Sequence, residues 1–164
     1  MTSTVGNRHG SAVVTLPSDE EIQITRVFDA PAELVFDAWT TPDIVKRWWA
    51  GDRGEVTEAQ VDLRIGGRWR WVMTANGGFE VAFRGEYREI DRPHRLVKTE
   101  VFELVPDAEA VSTTTFKEAD GATTMTILVR YPSQQHRDAA IASGMEGGLQ
   151  IAFDHLEELV RKGS

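Results

Sequence analysis

The chain of 164 residues contains no cysteine. Disulfide staples, thiolate metal ligands and a cysteine nucleophile are therefore excluded, and a cytoplasmic setting is the expectation. There is no apolar run of the roughly 20 residues that a helix needs to cross a bilayer. The opening MTSTVGNRHGS lacks the apolar segment of a secretory signal, and residues 1–11 read as a polar, mobile arm. Positive charge is scarce: 18 Lys and Arg stand against 26 Asp and Glu, a net charge of −8. Nucleic acid and anionic membranes select basic surfaces, so neither is expected as a partner. The cluster Arg64, Arg68 and Arg70 is too small to change that balance. Catalytic signatures are missing as well. There is no His-Glu-x-x-His, no Gly-x-Ser-x-Gly and no phosphate loop. His9, His94, His136 and His155 are scattered, and the glycines of IGGRW lack the spacing of a dinucleotide site. No metal site and no cofactor are expected.

What is present is an ordinary globular composition, 41% hydrophobic and 27% charged. The length suits one domain, taken here as residues 12–164. AVVTL (12–16) reads as a short edge strand. EIQITRVF (21–28) alternates and is the first firm strand. Pro31 and Glu33 then suit a helix start, and Thr41-Pro42-Asp43 suits a second one, ended by Gly51. From residue 56 the period changes to two. VTEAQVDLRI (56–65) places Ala59, Val61, Leu63 and Ile65 on one side. GRWRWVMT (67–74) opposes Trp69, Trp71 and Met73 to Arg68 and Arg70. FEVAFRGEYREI (79–90) opposes Phe79, Val81, Phe83 and Tyr87 to Glu80, Arg84, Glu86 and Arg88. RLVKTEVFEL (95–104) opposes an apolar Val97, Thr99 and Val101 to a wet Lys98 and Glu100. VSTTTFKE and TTMTILVRY follow, joined by Ala119-Asp120-Gly121, a hairpin signal. A long helix over 134–162 closes the chain, with Met145, Leu149, Ala152, Phe153, Leu156, Leu159 and Val160 in one apolar stripe.

TLPSDEEIQITRVFDAPAELVFDAWTTPDIVKRWWAG (15–51), DLRIGGRWRW (62–71) and GMEGGLQIAFDHLEELV (144–160) resemble segments of the START-like helix-grip superfamily, also called SRPBCC. Within it the chain is most similar to proteins like the C-terminal domain of the activator of heat-shock protein 90 ATPase. The likeness covers about residues 15 to 162. One departure is Leu149, where such proteins often carry tryptophan. The resemblance implies an α+β fold. A curved antiparallel sheet of about six to seven strands wraps around a long C-terminal helix, with two short helices after the first strand. It also implies a cavity between that helix and the sheet, used by family members for diverse hydrophobic molecules.

On that fold, the residues expected to line the cavity are Trp48, Trp69, Trp71, Phe83, Tyr87, Thr99, Thr114, Met145, Leu149 and Phe153. The aromatics would supply contact area, and the hydroxyls of Tyr87, Thr99, Ser112 and Thr114 would orient polar substituents. Of the pair Trp48-Trp49, Trp48 continues the face of Ile44 and is the expected cavity residue; plain core packing is the alternative for either. Gly144, Gly147 and Gly148 suggest a break near Ser143 or Met145, or side chains omitted to leave volume for a ligand. Arg26, inward by alternation, calls for an acid on the terminal helix or for an anionic ligand group. The expected function is binding of a small hydrophobic molecule. The alternatives are a co-chaperone-like module in the stress response, stimulating a heat-shock ATPase through the outer sheet face, and a cyclase- or hydrolase-like enzyme acting on a hydrophobic substrate by positioning, with a lone carboxylate in the cavity left open. A monomer or a homodimer fits either role.

Overall fold

The computed structural model of the protein describes residues 11–163; the expected arm lies mostly outside the described residues. Eight strands form one antiparallel sheet. They are β1 (Val13–Thr15), β2 (Glu21–Phe28), β3 (Gly54–Val61), β4 (Arg68–Ala75), β5 (Glu80–Asp91), β6 (Arg95–Phe102), β7 (Ala110–Ala119) and β8 (Ala122–Arg130). The order across the sheet is β1-β2-β8-β7-β6-β5-β4-β3. Strands β3 to β8 follow as a meander, and β2 returns to close against β8. Helices α1 (Ala32–Thr40) and α2 (Pro42–Trp48) sit between β2 and β3, and α3 (Gln134–Ala142) and α4 (Met145–Gly163) end the chain. This is the helix-grip arrangement, with the short β1 carrying the sheet to eight strands. Among the described residues no helix is long and apolar enough to cross a membrane.

Local chemistry explains the breaks. Asp120 (φ 54) and Gly121 (φ 80) both take positive φ, as the tight β7–β8 hairpin requires. The terminal helix is two helices, because Gly144 takes φ +84 and its amide reaches back to the Ile141 carbonyl. Beyond the break, α4 is tied to the sheet side. Gln150 exchanges two hydrogen bonds with the Ala12 backbone at 2.8 and 2.9 Å. Arg26 Nη1 meets Asp154 at 2.9 Å and Arg26 Nη2 meets Glu157 at 3.5 Å, so the inward arginine has its acids on the terminal helix.

Three readings of facing are corrected by the structure. Strand β3 ends at Val61, since the Asp62 to Gly67 turn is closed by bonds from Arg64 to Asp62 and from Gly67 to Arg64; Leu63 and Ile65 are left exposed. Phe79 belongs to the β4–β5 turn, where its carbonyl accepts from Ala75, and its ring is exposed. On β6 the faces are reversed. Leu96 and Lys98 are buried on the inner face, opposite Thr114 and Ser112 of β7, while Thr99 and Val101 belong to the outer face. Register decides this: Lys98 pairs with Tyr87, and a strand cannot turn one residue without turning its neighbours.

Candidate functional site

The interior beneath α4 is an aromatic cluster drawn from four elements. Trp39 from α1 and Trp48 from α2 meet at 4.7 Å between ring centroids. Trp71 from β4 lies 6.0 Å from Trp48 and 5.3 Å from Trp69. Phe153 from α4 caps Trp39 and Trp48 at 6.0 and 6.2 Å. The chain builds this cluster through two periods. Trp69 and Trp71 share a face of β4 at strand spacing, and α1 and α2 bring their tryptophans down onto it. The rings close on one another beneath the helix.

Lys98 stands in the middle of these rings. Its Nζ is 4.1 Å from the Trp69 centroid, 4.7 Å from Trp71 and 5.3 Å from Trp39. The residue is only 4% exposed, and no carboxylate of the described residues comes within 4.0 Å of the amine. Burial lowers its pKa to about 8, with Glu100 opposing. The indole faces also favour the ammonium, since each carries negative charge density over its centre. Glu100, two residues along the same face, is raised above the ordinary carboxylate range by burial, with Lys98 opposing. Glu100 also adds to the upward shift that burial gives Tyr131.

Two further polar groups beneath the helix are left over. Trp71 Nε1 and Tyr87 Oη are buried without a hydrogen-bond partner among the described residues. Burial raises the Tyr87 phenol above its usual value, so it keeps its proton. The other indoles are satisfied: Trp48 Nε1 donates to the Ala38 carbonyl at 2.8 Å, Trp69 Nε1 to Thr99 at 3.1 Å and Trp39 Nε1 to the Met125 sulfur at 3.2 Å. Native interiors pair nearly all such groups, which makes Trp71 and Tyr87, beside the buried Lys98, unusual.

The outer face carries a cleft of about 420 Å³ lined by Arg68, Arg70, Arg84, Gly85, Thr99 and Glu109, among others. Its arginines are partly spoken for. Arg70 bonds Glu103 at 2.7 and 2.9 Å and Glu58 at 3.2 Å, which holds its pKa above the ordinary arginine value, Glu103 contributing most.

A family model described as activator of Hsp90 ATPase homolog 1-like protein matches residues 29–161. The chain belongs to that family. No curated protein matches it. Among solved structures, a protein of Rhodobacter sphaeroides is 25% identical with a TM-score of 0.86, over 93% of this chain and 99% of its own. One from Mycobacterium smegmatis is 25% identical with a TM-score of 0.78, over 90% and 97%. One from Arthrobacter aurescens, 22% identical with a TM-score of 0.82 over 92% and 91%, shares the fold. The helix-grip architecture of this chain is thus shared with these solved structures.

Of the residues named from the sequence of this family member, Trp48, Trp69, Trp71, Tyr87 and Phe153 are buried, with Trp48, Trp71 and Phe153 brought together directly. Thr114 is buried opposite Leu96. Phe83, Met145 and Leu149 are half-buried against the core. Thr99 does not join them. Its hydroxyl accepts from the Glu86 amide at 2.9 Å, and it lines the outer cleft. Lys98 and Glu100 were placed on the wet face by the sequence reading. Their signal was faint: the inward Tyr87 and Ser112 on the neighbouring strands, which only the register connects to them.

Proposed function

We propose that the protein is a cytoplasmic binder of a small, mostly apolar molecule held between the sheet and α4. The observation that supports this best is the pair Trp71 Nε1 and Tyr87 Oη, buried beneath the helix without a hydrogen-bond partner among the described residues, beside the buried Lys98 whose amine rests on indole faces. A purely structural core would replace such groups with apolar ones at little cost. A ligand enters by parting the rings. The break at Gly144 lies at the start of α4, where Gly147 has open space around it. The absence of cysteine agrees with the cytoplasm.

The test is mass spectrometry of material extracted from natively purified protein, together with titration by a neutral solvatochromic dye. A stoichiometric apolar compound, or saturable dye binding that the compound displaces, is expected. A protein that copurifies with nothing and binds no dye would overturn the reading.

The second reading is a protein-interaction module, and the outer cleft with its arginines favours it. The family's description names an activator of a heat-shock ATPase. In this reading Arg68→Ala abolishes stimulation of a chaperone ATPase while dye binding is unchanged. If no stimulation occurs with the wild-type chain, this second reading is wrong.

A further inference from the structure

We propose that the ligand of the grip is a monoanionic apolar acid, a carboxylate on a hydrocarbon or aryl body, held by Lys98 Nζ. The inference rests on the binding function proposed above and specifies its ligand class.

The polar groups gathered beneath the helix, Lys98, Trp71 and Tyr87, are donors. An ammonium and an indole N–H can only donate, and a phenol can donate. Tyr87 is the cross-strand partner of Lys98, and the Trp71 ring lies 4.7 Å from Lys98 Nζ, so all three belong to one neighbourhood. These converging donors complement an oxygen-rich acceptor group. Charge narrows the choice. The amine has no carboxylate within 4.0 Å among the described residues, and Glu100 stands beyond that distance with its own ionisation disfavoured by burial. One ligand carboxylate therefore converts an isolated buried cation into a neutral, hydrogen-bonded pair. A phosphate dianion would leave a net buried charge. A cationic amphiphile would be repelled, and an alcohol would leave the ammonium unneutralised. The planar carboxylate offers two acceptors, enough for Lys98 and one of its neighbours. The body of the molecule then lies against Trp48, Trp71 and Phe153, which carry no net charge.

The experiment compares octanoate, octanol and octyltrimethylammonium as competitors of a neutral dye on the full chain, below their aggregation concentrations. Octanoate should bind the wild type about ten-fold or more tightly than octanol, the size of a charge-assisted hydrogen bond. The octylammonium should bind weakest. Lys98→Met should abolish the acid's advantage over octanol. Trp71→Phe keeps a ring but removes the donor, and should weaken octanoate more than octanol. Should Lys98→Met fail to fold, Trp71→Phe and Tyr87→Phe carry the same comparison. Equal affinity for acid and alcohol on the wild type would overturn the inference, as would an acid preference that survives in every variant that folds. Failure of the dye and all three competitors to bind would instead sink the binding reading beneath it.

Discussion

The indole N–H of Trp69 donates to the Thr99 carbonyl at 3.1 Å, passing directly across Gly85. A Cβ at residue 85 would lie 1.9 Å from that carbonyl oxygen and 2.6 Å from the indole nitrogen. The bond joins β4 to β6 over the intervening β5, and it orients the ring on which Lys98 rests. Gly85→Ala should therefore cost about 3 kcal/mol through overpacking against backbone. Urea unfolding checks this; a change below about 1 kcal/mol would show that the strands can separate cheaply.

Lys98 should leave a signature in stability against pH. Its folded pKa is lowered to about 8 from an ordinary 10.5. Between those values the unfolded chain binds more protons than the folded one, so the contribution of Lys98 to stability rises as pH rises through the window. Below about 8 the burial penalty is fully present, and it amounts to at most about 3 kcal/mol before the indole faces offset part of it. Lys98→Met should accordingly match or exceed wild-type stability at pH 7, and the wild type should gain on the variant between pH 8 and 10. Taking the difference between the two proteins cancels the opposite trend of Tyr87, whose raised pKa makes stability fall at still higher pH. Parallel pH curves for the two proteins would refute the burial of the charge.

Arg26 is joined to two acids of unequal burial. Its own side chain is 1% exposed, Glu157 is 7% exposed and Asp154 is 60% exposed. Removing the arginine strands the Glu157 carboxylate, which also accepts from the Asp29 amide at 3.0 Å. Arg26→Ala should cost about 3–5 kcal/mol, whereas Asp154→Asn should cost about 1 kcal/mol or less, because water screens that partner. Thermal denaturation distinguishes the two. Equal losses would mean that the exposed acid carries the tie between β2 and α4.

The adjacent tryptophans should divide their roles. Trp48 is fully buried and bonded to Ala38, while Trp49 is half-buried against Trp71 and Phe83 at 5.5 and 5.9 Å. Trp48→Phe should destabilise by about 2 kcal/mol through lost contacts and an unpaired carbonyl. Trp49→Phe should change stability by less than about 1 kcal/mol. Both should alter dye affinity if the rings part for a ligand. Dye affinity untouched in both variants would confine the pair to packing.

Much of the fold was legible because it is written in short periods. The eight-residue β2 alternates from end to end, the Asp120-Gly121 turn supplies positive φ where a hairpin needs it, and the Phe153 stripe repeats at helical spacing. The break at Gly144 could be anticipated from the glycines, since a helix interior disfavours them. The inward arginine, too, announced its need for an acid. These are properties of neighbours along the chain, and neighbours are what a sequence displays directly.

The facing of β6 was of another kind. Its residues alternate, but Val97, Thr99 and Val101 look more apolar than Lys98 and Glu100, and local hydrophobicity favoured the wrong face. Cross-strand pairing overrode that preference, since Lys98 had to face as Tyr87 and Ser112 do. The fold tolerates the buried amine because Trp39, Trp69 and Trp71, from 27 to 59 residues away in the numbering, converge on it in space. The sequence by itself determined which segments become strands and helices, through periodicity and turn chemistry. Only the tertiary structure decided which charge lies inside, because the energy of a buried ion depends on groups that the chain brings together after it has folded.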